Sequence, residues 1–357
     1  MMDDTASPLV SLIVRSSARA SLQAALDSIG LQDYPQLEVI VVAASGRDHP
    51  ALADRIGEHP LRLVQSDVRL SRPQAANAGL DAARGDWITF LDDDDLLLSG
   101  HVAGLVAAQR NAHGARLIYT LALGRFADGH TESWGRPYAL SELYERNFIH
   151  LSTALFARSL VADGCRFDEA FEIMQDWDFF LQCAQRTPFH FEPRQTFEWR
   201  VDLGSSGTGV GGNKNAERFA RFRDAIYAKW SGPRQALAAR VKQLVEDASA
   251  GLRIGDFAGA EARCTEALAA SPGDPLALNA LALVYRSTGR LAEAEHAQAY
   301  AVAVRPNNPA LLFNLAEIHR ARGDLARARA CLQRALVLAP DFASAQTMLA
   351  ALDADRG

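Results

Sequence analysis

Short apolar runs alternate with helical patterns along the first 230 residues. Strands that alternate with helices imply right-handed crossovers and a mostly parallel sheet. Polar, Gly-rich stretches at 124–137 and 204–215 predict loops. Apolar residues at helical spacing predict helices over 18–29, 72–83, 176–185 and 217–230, and another from an N-cap at Ser99 to Asn111. Apolar runs predict strands at 8–14, 37–42, 61–64, 87–91, 117–123, 148–156 and 196–201.

A different pattern begins near residue 236 and repeats every 34 residues. Glycine, proline and alanine keep one register, which is the tetratricopeptide pattern and which a plain helical bundle would not need. We therefore predict two domains, residues 8–232 with an α/β fold and residues 236–357 as an all-α solenoid of three repeats and a terminal stub. The repeating positions are Gly255, Gly289 and Gly323, then Pro272, Pro306 and Pro340, then Ala260, Ala294 and Ala328.

Four consecutive carboxylates, Asp92–Asp95, follow the strand predicted at 87–91. Like charges this close repel, so the run needs compensation from solvent, a basic neighbour or a metal ion. Open sheets bind ligands at the carboxyl ends of their strands, and oxygen ligands suit Mg²⁺ or Mn²⁺, which can hold a diphosphate. Taken alone, the run also fits an acidic, solvated loop.

Composition excludes several classes of protein. The chain has 48% hydrophobic residues and a formal net charge of -6, and it has no basic cluster of the kind that binds nucleic acid. Its four cysteines show no C-x-x-C spacing, which is typical of buried thiols in a reducing compartment. No apolar run approaches the roughly 18 residues that a transmembrane helix needs. We expect a cytoplasmic protein, either free or peripheral at the inner face of the membrane.

An ordered series of motifs resembles the family 2 glycosyltransferases, which have the GT-A fold. The resemblance covers about residues 8–230 and implies transfer of a sugar from a nucleoside-diphosphate sugar to a hydroxyl of a saccharide, lipid-linked glycan or protein acceptor. The motifs are the runs 8–14, 26–29, 32–35 and 37–42, Ala76-Asn77-Ala78-Gly79, Arg84-Gly85-Asp86 and Phe90–Asp95 in the nucleotide-sugar half, then 147–156, 167–169 and 175–178 in the acceptor half.

Asp92-Asp93-Asp94 lies where this family has its D-x-D motif. By resemblance, Asp94 and Asp92 hold a divalent metal, Mn²⁺ or Mg²⁺, and Asp93 contacts the ribose or the sugar together with Asp92. Asp95 is a secondary candidate. A departing nucleoside diphosphate develops negative charge, which a divalent ion stabilises as a Lewis acid.

Asp176 aligns with the first Asp of the family's Glu-Asp-Trp-Asp motif, and it is our candidate for the base that takes the proton of the acceptor hydroxyl. The alternative is that Asp176 only caps the helix it opens, where the helix dipole favours a carboxylate. Gln175 stands where the family usually has Glu, which removes one charge beside the base. His150 is either a core histidine or a contact to the acceptor hydroxyl.

The donor side departs from the family pattern. The first strand ends in Arg15-Ser16-Ser17-Ala18 instead of Pro-Thr-Tyr-Asn, and the second in Ala43-Ala44-Ser45-Gly46 instead of Asp-Asp-Gly-Ser. Both changes fall on the nucleobase pocket and leave the donor nucleotide open, although Arg15 is expected to contact it. Arg200 and Lys214 are expected to face the diphosphate, with the loop at 204–215 closing over the donor; a surface strand end with a floppy connection is the alternative.

Competing functions follow from the same departures. A scaffold that has lost sugar transfer would explain Ala43-Ala44 and Gln175, and a nucleotidyltransferase would also use carboxylates and a metal, although the chain lacks a Gly-rich phosphate loop near its first strand. The repeat domain is expected to bind a protein, either the acceptor or a partner enzyme. The alternative is that it only packs on the first domain or self-associates.

Overall fold

The computed structural model describes residues 7–203 and 215–354. These residues divide into two compact units. The sheet unit comprises Met1–Arg136 and Arg146–Lys229, and the repeat unit comprises Pro137–Glu145 and Trp230–Gly357. The segment 137–145 therefore belongs to the repeat unit, although both of its neighbours in the sequence belong to the sheet unit.

The described strands of the sheet unit form one sheet of ten strands, in the order β3-β4-β2-β1-β5-β9-β7-β10-β6 with β8 paired to β7. β1 lies parallel to β2 and β5, β2 to β4, and β7 to β10, whereas β9 runs antiparallel to β5 and β7. The strands are β1 (Val10–Ser16), β2 (Leu37–Ala43), β3 (Arg55–Ile56), β4 (His59–Val64), β5 (Trp87–Asp92), β6 (Leu96–Leu97), β7 (Leu117–Arg125), β8 (Thr131–Trp134), β9 (Ala154–Ala157) and β10 (Phe189–Arg200).

Helices of the sheet unit pack on this sheet through buried apolar residues. In the sheet unit, α2 lies so close to β1 that a Cβ atom added to Gly79 would lie 2.4 Å from Cγ2 of Ile13. A glycine at this position allows the close approach. The helices of the sheet unit are α1 (Leu22–Gly30), α2 (Arg72–Ala82), α3 (His101–Arg110), α5 (Arg158–Ala162), α6 (Gln175–Ala184) and α7 (Ala216–Lys229). Those of the repeat unit are α4 (Leu140–Glu145), α8 (Ser231–Ile254), α9 (Phe257–Ala270), α10 (Pro275–Ser287), α11 (Leu291–Val304), α12 (Pro309–Ala321), α13 (Leu325–Leu338) and α14 (Ala343–Ala354).

Three local predictions are wrong. Gly100, with φ 74°, is the N-cap of α3 in place of Ser99. The loop predicted at 124–137 contains β8, an exposed polar strand with no apolar signal. The run 148–156 is a strand only from Ala154, because a 3-10 turn at Leu151–Thr153 precedes it. An apolar run indicates that a segment is buried but does not indicate that it is a strand. In this segment, part of the buried run is a turn.

The repeat unit has the predicted tetratricopeptide architecture of antiparallel helix pairs, α8–α9, α10–α11 and α12–α13, followed by α14. Gly255, Gly289 and Gly323 join the two helices of each pair with φ of 78°, 76° and 80°. The alanines of the repeat, Ala260, Ala294 and Ala328, are buried between helices. The small side chains allow the close packing that the period requires.

Candidate active site

The register of the central strands places Arg15 of β1 beside Asp92 at the end of β5. Nε and Nη2 of Arg15 donate to Oδ1 of Asp92 over 2.9 and 2.6 Å. The backbone N–H of Ser17 donates to Oδ2 of Asp93 over 2.7 Å, and Arg19 pairs with both Asp93 and Asp94. Basic residues in β1 and just after it therefore supply part of the charge compensation that the acidic run needs.

Asp92, Asp94 and Asp95 form a group whose carboxylate oxygens lie within 4.8 Å of one another, and we call it the acidic cluster. In each residue one oxygen is engaged: Arg15 and Arg19 bind Asp92 and Asp94, and the N–H of Arg200 donates to Oδ1 of Asp95 over 2.9 Å. The second oxygen of each carboxylate accepts no hydrogen bond from the described residues. Three carboxylates whose oxygens approach one another this closely fit a hard divalent ion.

The pKa values of the three carboxylates in the acidic cluster shift in different directions. Burial acts to raise the pKa of Asp92, but the charges of Arg15 and Arg72 outweigh it and hold that pKa below its ordinary value. Burial raises the pKa of Asp94, and the charge of Asp92 adds to the rise. Burial likewise raises the pKa of Asp95 well above its ordinary value, together with the charges of Asp94 and Asp92. A bound cation would favour the ionised forms of all three carboxylates.

Asp176 is the second residue of α6, whose N-cap is Met174 at φ 60°, so the N-capping role considered for Asp176 is wrong. Its Oδ1 accepts from the N–H of Trp177 over 2.9 Å, and its Oδ2 accepts from Nδ2 of Asn147 over 3.1 Å. The N–H of Ile149 donates to Oδ1 of Asn147 over 3.0 Å and so fixes which end of the amide faces the carboxylate. The sequence analysis gave Asn147 no role of its own.

Nearby charges link Asp176 to the end of β5. Burial raises the pKa of Asp176, the charge of Arg15 opposes the rise, and the charge of Asp92 adds to it. Because Coulombic effects weaken with distance, these groups share one electrostatic neighbourhood. His150 belongs to it as well: burial lowers the pKa of His150 to about 4, and the charges of Asp92 and Arg15 also act on it.

His150 is a neutral, well-packed residue. Its ring centre lies 4.6 Å from that of Phe197 and 5.7 Å from that of Trp199. Its Nδ1 accepts from the N–H of Ser152 over 3.3 Å, which leaves the proton on Nε2. These contacts fit the prediction of a core histidine, and a contact to an acceptor stays a prediction.

A pocket borders the acidic run on the side of β1 and α2. Ala44 lines it where the family has a carboxylate. Arg72 also lines the pocket, and burial lowers its pKa. We did not predict a role for Arg72, because the only indication in the sequence is its position in the first turn of α2. Arg200 contacts Asp95 through its backbone, whereas Lys214 lies outside the described residues. The charged residues of the pocket are Arg15, Arg19, Arg69, Arg72, Arg218, Asp92, Asp93 and Glu172.

Two family models match the chain. The model "Glycosyl transferase family 2" matches residues 13–163, and the model "Tetratricopeptide repeat" matches residues 309–342. The first match contains the acidic cluster, and the second coincides with α12 and α13. No described helix is long and apolar enough to cross a membrane.

Known relatives match about half of the chain. An uncharacterized protein of Sinorhizobium fredii is 30% identical over 216 residues, which are 56% of this chain and 23% of that protein. A PGL/p-HBAD biosynthesis glycosyltransferase of Mycobacterium tuberculosis is 28% identical over 186 residues, which are 50% of this chain and 70% of that protein. The chain also spans 57% of the succinoglycan biosynthesis protein ExoO of Rhizobium meliloti, at 28% identity.

Among solved structures, S. aureus TarS 1-349 in complex with UDP-GlcNAc superposes with a TM-score of 0.51 over 90% of each chain. At 16% identity this likeness shows the fold. The chain therefore carries a family 2 glycosyltransferase domain of GT-A fold, followed by a tetratricopeptide repeat domain.

Proposed function

We propose that the protein is an inverting, metal-dependent glycosyltransferase. It moves a sugar from a nucleoside-diphosphate sugar to an acceptor hydroxyl in one direct displacement. The observation that carries the proposal is a buried carboxylate with a raised pKa, Asp176, on which the charges of Arg15 and Asp92 act, together with a group of carboxylates that fits a cation. A single displacement requires a base and a leaving-group site in one active site.

On the donor side, Asp94 and Asp92 would hold Mn²⁺ or Mg²⁺, with Asp95 completing the oxygen set. The ion would stabilise the charge that develops on the departing diphosphate. Arg15 holds Asp92 through two of its nitrogens, and its Nη1 is buried without a hydrogen-bond partner among the described residues, so it can donate to the nucleotide. Asp93, Arg200 and Lys214 complete the proposed donor contacts.

On the acceptor side, Asp176 takes the proton from the acceptor hydroxyl as that oxygen attacks the sugar. Burial raises the pKa of Asp176 towards the range in which a carboxylate is an effective base. Asn147 donates to Oδ2 of Asp176 and so holds the carboxylate in one orientation. The acceptor is a saccharide, a lipid-linked glycan or a protein, and its class stays open. Binding of a protein partner by the repeats stays a prediction. A cytoplasmic location also stays a prediction.

Donor binding can be tested without knowledge of the acceptor. We would measure thermal unfolding of the full chain with Mn²⁺ and a panel of UDP-, GDP- and other nucleoside-diphosphate sugars, beginning with UDP-GlcNAc because TarS was solved with it. A donor at about 100 times its Kd stabilises the folded chain by about 2.7 kcal/mol. We expect Mn²⁺-dependent stabilisation by at least one donor, with loss in Asp94→Asn and retention in Asp163→Asn, a surface variant. No stabilisation by any donor would contradict the proposal.

Turnover separates an enzyme from a scaffold. We expect slow, Mn²⁺-dependent hydrolysis of the stabilising donor, because water can replace the acceptor. Asp176→Asn should bind that donor as the parent does and should lose hydrolysis. Normal donor binding without hydrolysis or transfer in the parent chain would identify a sugar-nucleotide-binding scaffold instead.

A further inference from the structure

The segment 137–145, Pro-Tyr-Ala-Leu-Ser-Glu-Leu-Tyr-Glu, is built into the repeat unit. In the sequence it lies between Arg136 and Arg146, which belong to the sheet unit. Its apolar side chains are buried, with Ala139 and Leu143 fully inaccessible to solvent. Several backbone and side-chain groups of the segment bond to the repeat helices and their turns.

Backbone contacts fix the path of the segment. The N–H of Leu140 donates to the carbonyl of Pro272 over 3.1 Å, in the turn between α9 and α10. The hydroxyl of Tyr300 on α11 donates to the carbonyl of Tyr138 over 3.0 Å. These bonds pair polar backbone groups that burial would otherwise leave unsatisfied.

Two ion pairs hold the acidic side chains of the segment. Nε of Arg305 donates to Oε1 of Glu142 over 2.6 Å, and Glu142 is only 2% exposed. Nε and Nη2 of Arg234 in α8 donate to Oε1 and Oε2 of Glu145 over 2.9 and 2.8 Å. The repeat helices therefore present cations to a segment whose two carboxylates match them, which is the charge complementarity of a binding site.

Gly273 shows how closely the segment lies against the repeats. A Cβ atom at this position would meet the carbonyl oxygen of Tyr138 at 2.0 Å, a contact that the backbone could relieve only by moving. Gly289, at φ 76° against 72° for Gly273, has nothing within 4 Å of the same atom. Both glycines have the left-handed conformation, and an added Cβ atom would meet the segment only at Gly273.

We propose that the repeat unit binds the segment 137–145 as an internal ligand, so that this surface of the repeats serves to hold the chain's own segment. The fitted partner is an acidic helix with one tyrosine before it, Tyr138, and one within it, Tyr144, and the chain supplies it in cis. A protein partner of the repeats must then use another face or displace this segment. The inference does not depend on sugar transfer, and its test needs no donor or acceptor.

Hydrogen exchange of the full chain, followed by mass spectrometry, tests the proposal. The amides of Leu140 and Leu143 bond to Pro272 and Ala139, so we expect them to be protected in the parent chain. Gly273→Ala should speed their exchange at least tenfold. Gly289→Ala, which carries the same backbone strain into open space, should leave their exchange within about twofold of the parent.

A milder pair of variants covers the case in which Gly273→Ala fails to fold. Arg305→Gln removes a cation that pairs with the buried carboxylate of Glu142, whereas Arg290→Gln removes a cation that pairs with Glu261 and Glu293 of the repeats. We expect faster exchange of the segment in Arg305→Gln and not in Arg290→Gln. Equal effects of the two members of either pair, or an unprotected segment in the parent, would overturn the proposal.

Discussion

Replacement of Asn147 by alanine should shift the pH dependence of sugar transfer. In the structure, Nδ2 of Asn147 donates to Oδ2 of Asp176 over 3.1 Å, and the N–H of Ile149 orients the amide. A hydrogen bond to a carboxylate favours its charged form. Its removal should therefore raise the pKa of Asp176 further above its ordinary value, beyond the rise that burial already causes.

The size of the shift follows from two classes of hydrogen bond. A bond to a charged group contributes about 1.5–3 kcal/mol and a neutral bond about 0.5–1.5 kcal/mol, so the charged form loses about 1–1.5 kcal/mol more than the neutral form. Since about 1.4 kcal/mol corresponds to one pKa unit, the pKa of Asp176 should rise by about one unit in Asn147→Ala. Below that pKa, the rate should fall about tenfold.

The assay is the pH profile of kcat/KM for the acceptor. We expect its acidic limb to move up by about one pH unit in Asn147→Ala, with an unchanged Kd for the donor. Asn77→Ala is the matched control, because Asn77 also makes two hydrogen bonds, to the backbone N–H and carbonyl of Phe167, and does not touch Asp176. The reasoning would be refuted by an unmoved limb in Asn147→Ala, or by the same shift in Asn77→Ala.

Three further predictions use other parts of the sheet unit. Asp94→Asn should weaken Mn²⁺ binding at least tenfold by calorimetry, since it removes one of the clustered carboxylates. Gly85→Ala should lower the unfolding free energy in urea by about 1–3 kcal/mol, because its Cβ would lie 2.6 Å from the backbone nitrogen of Ser11; Gly104→Ala, with no neighbour nearer than 3.9 Å, should not. Burial lowers the pKa of His101 to about 4, so the unfolded state binds the proton first as the pH falls below about 6.5; His101 should therefore contribute a loss of stability of about 2 kcal/mol between pH 7 and 5, and this contribution should be absent in His101→Gln.

The 34-residue repeat and the β-branched runs predicted the main helices and strands well, because these patterns depend on the local conformation and burial of each segment. The run at 37–42 matches β2, which spans Leu37–Ala43, since a strand covered on both faces reads as unbroken apolar sequence. The 34-residue period matches the helix pairs because the same glycine and alanine positions recur in each. Such signals need no knowledge of which strand lies beside which.

Contacts that depend on register were beyond the sequence. Arg15 and Asp92 are 77 positions apart, and they meet only because β1 and β5 are parallel neighbours with those residues in line. The segment 137–145 shows the same limit, because its apolar pattern indicates burial without indicating which core receives it. Polar β8 carried no apolar signal at all.

The charge balance of the acidic run shows why its chemistry could be predicted only in part from the sequence. In the sequence, solvent, a basic neighbour and a metal ion were alternative sources of charge compensation, and the structure shows the basic neighbours. Arg15 and Arg19 each neutralise part of the run, yet they bind only one oxygen of Asp92 and of Asp94 and leave the other open. Because the arginines orient these carboxylates, the cation that we propose for this site would have less ordering to impose when it binds.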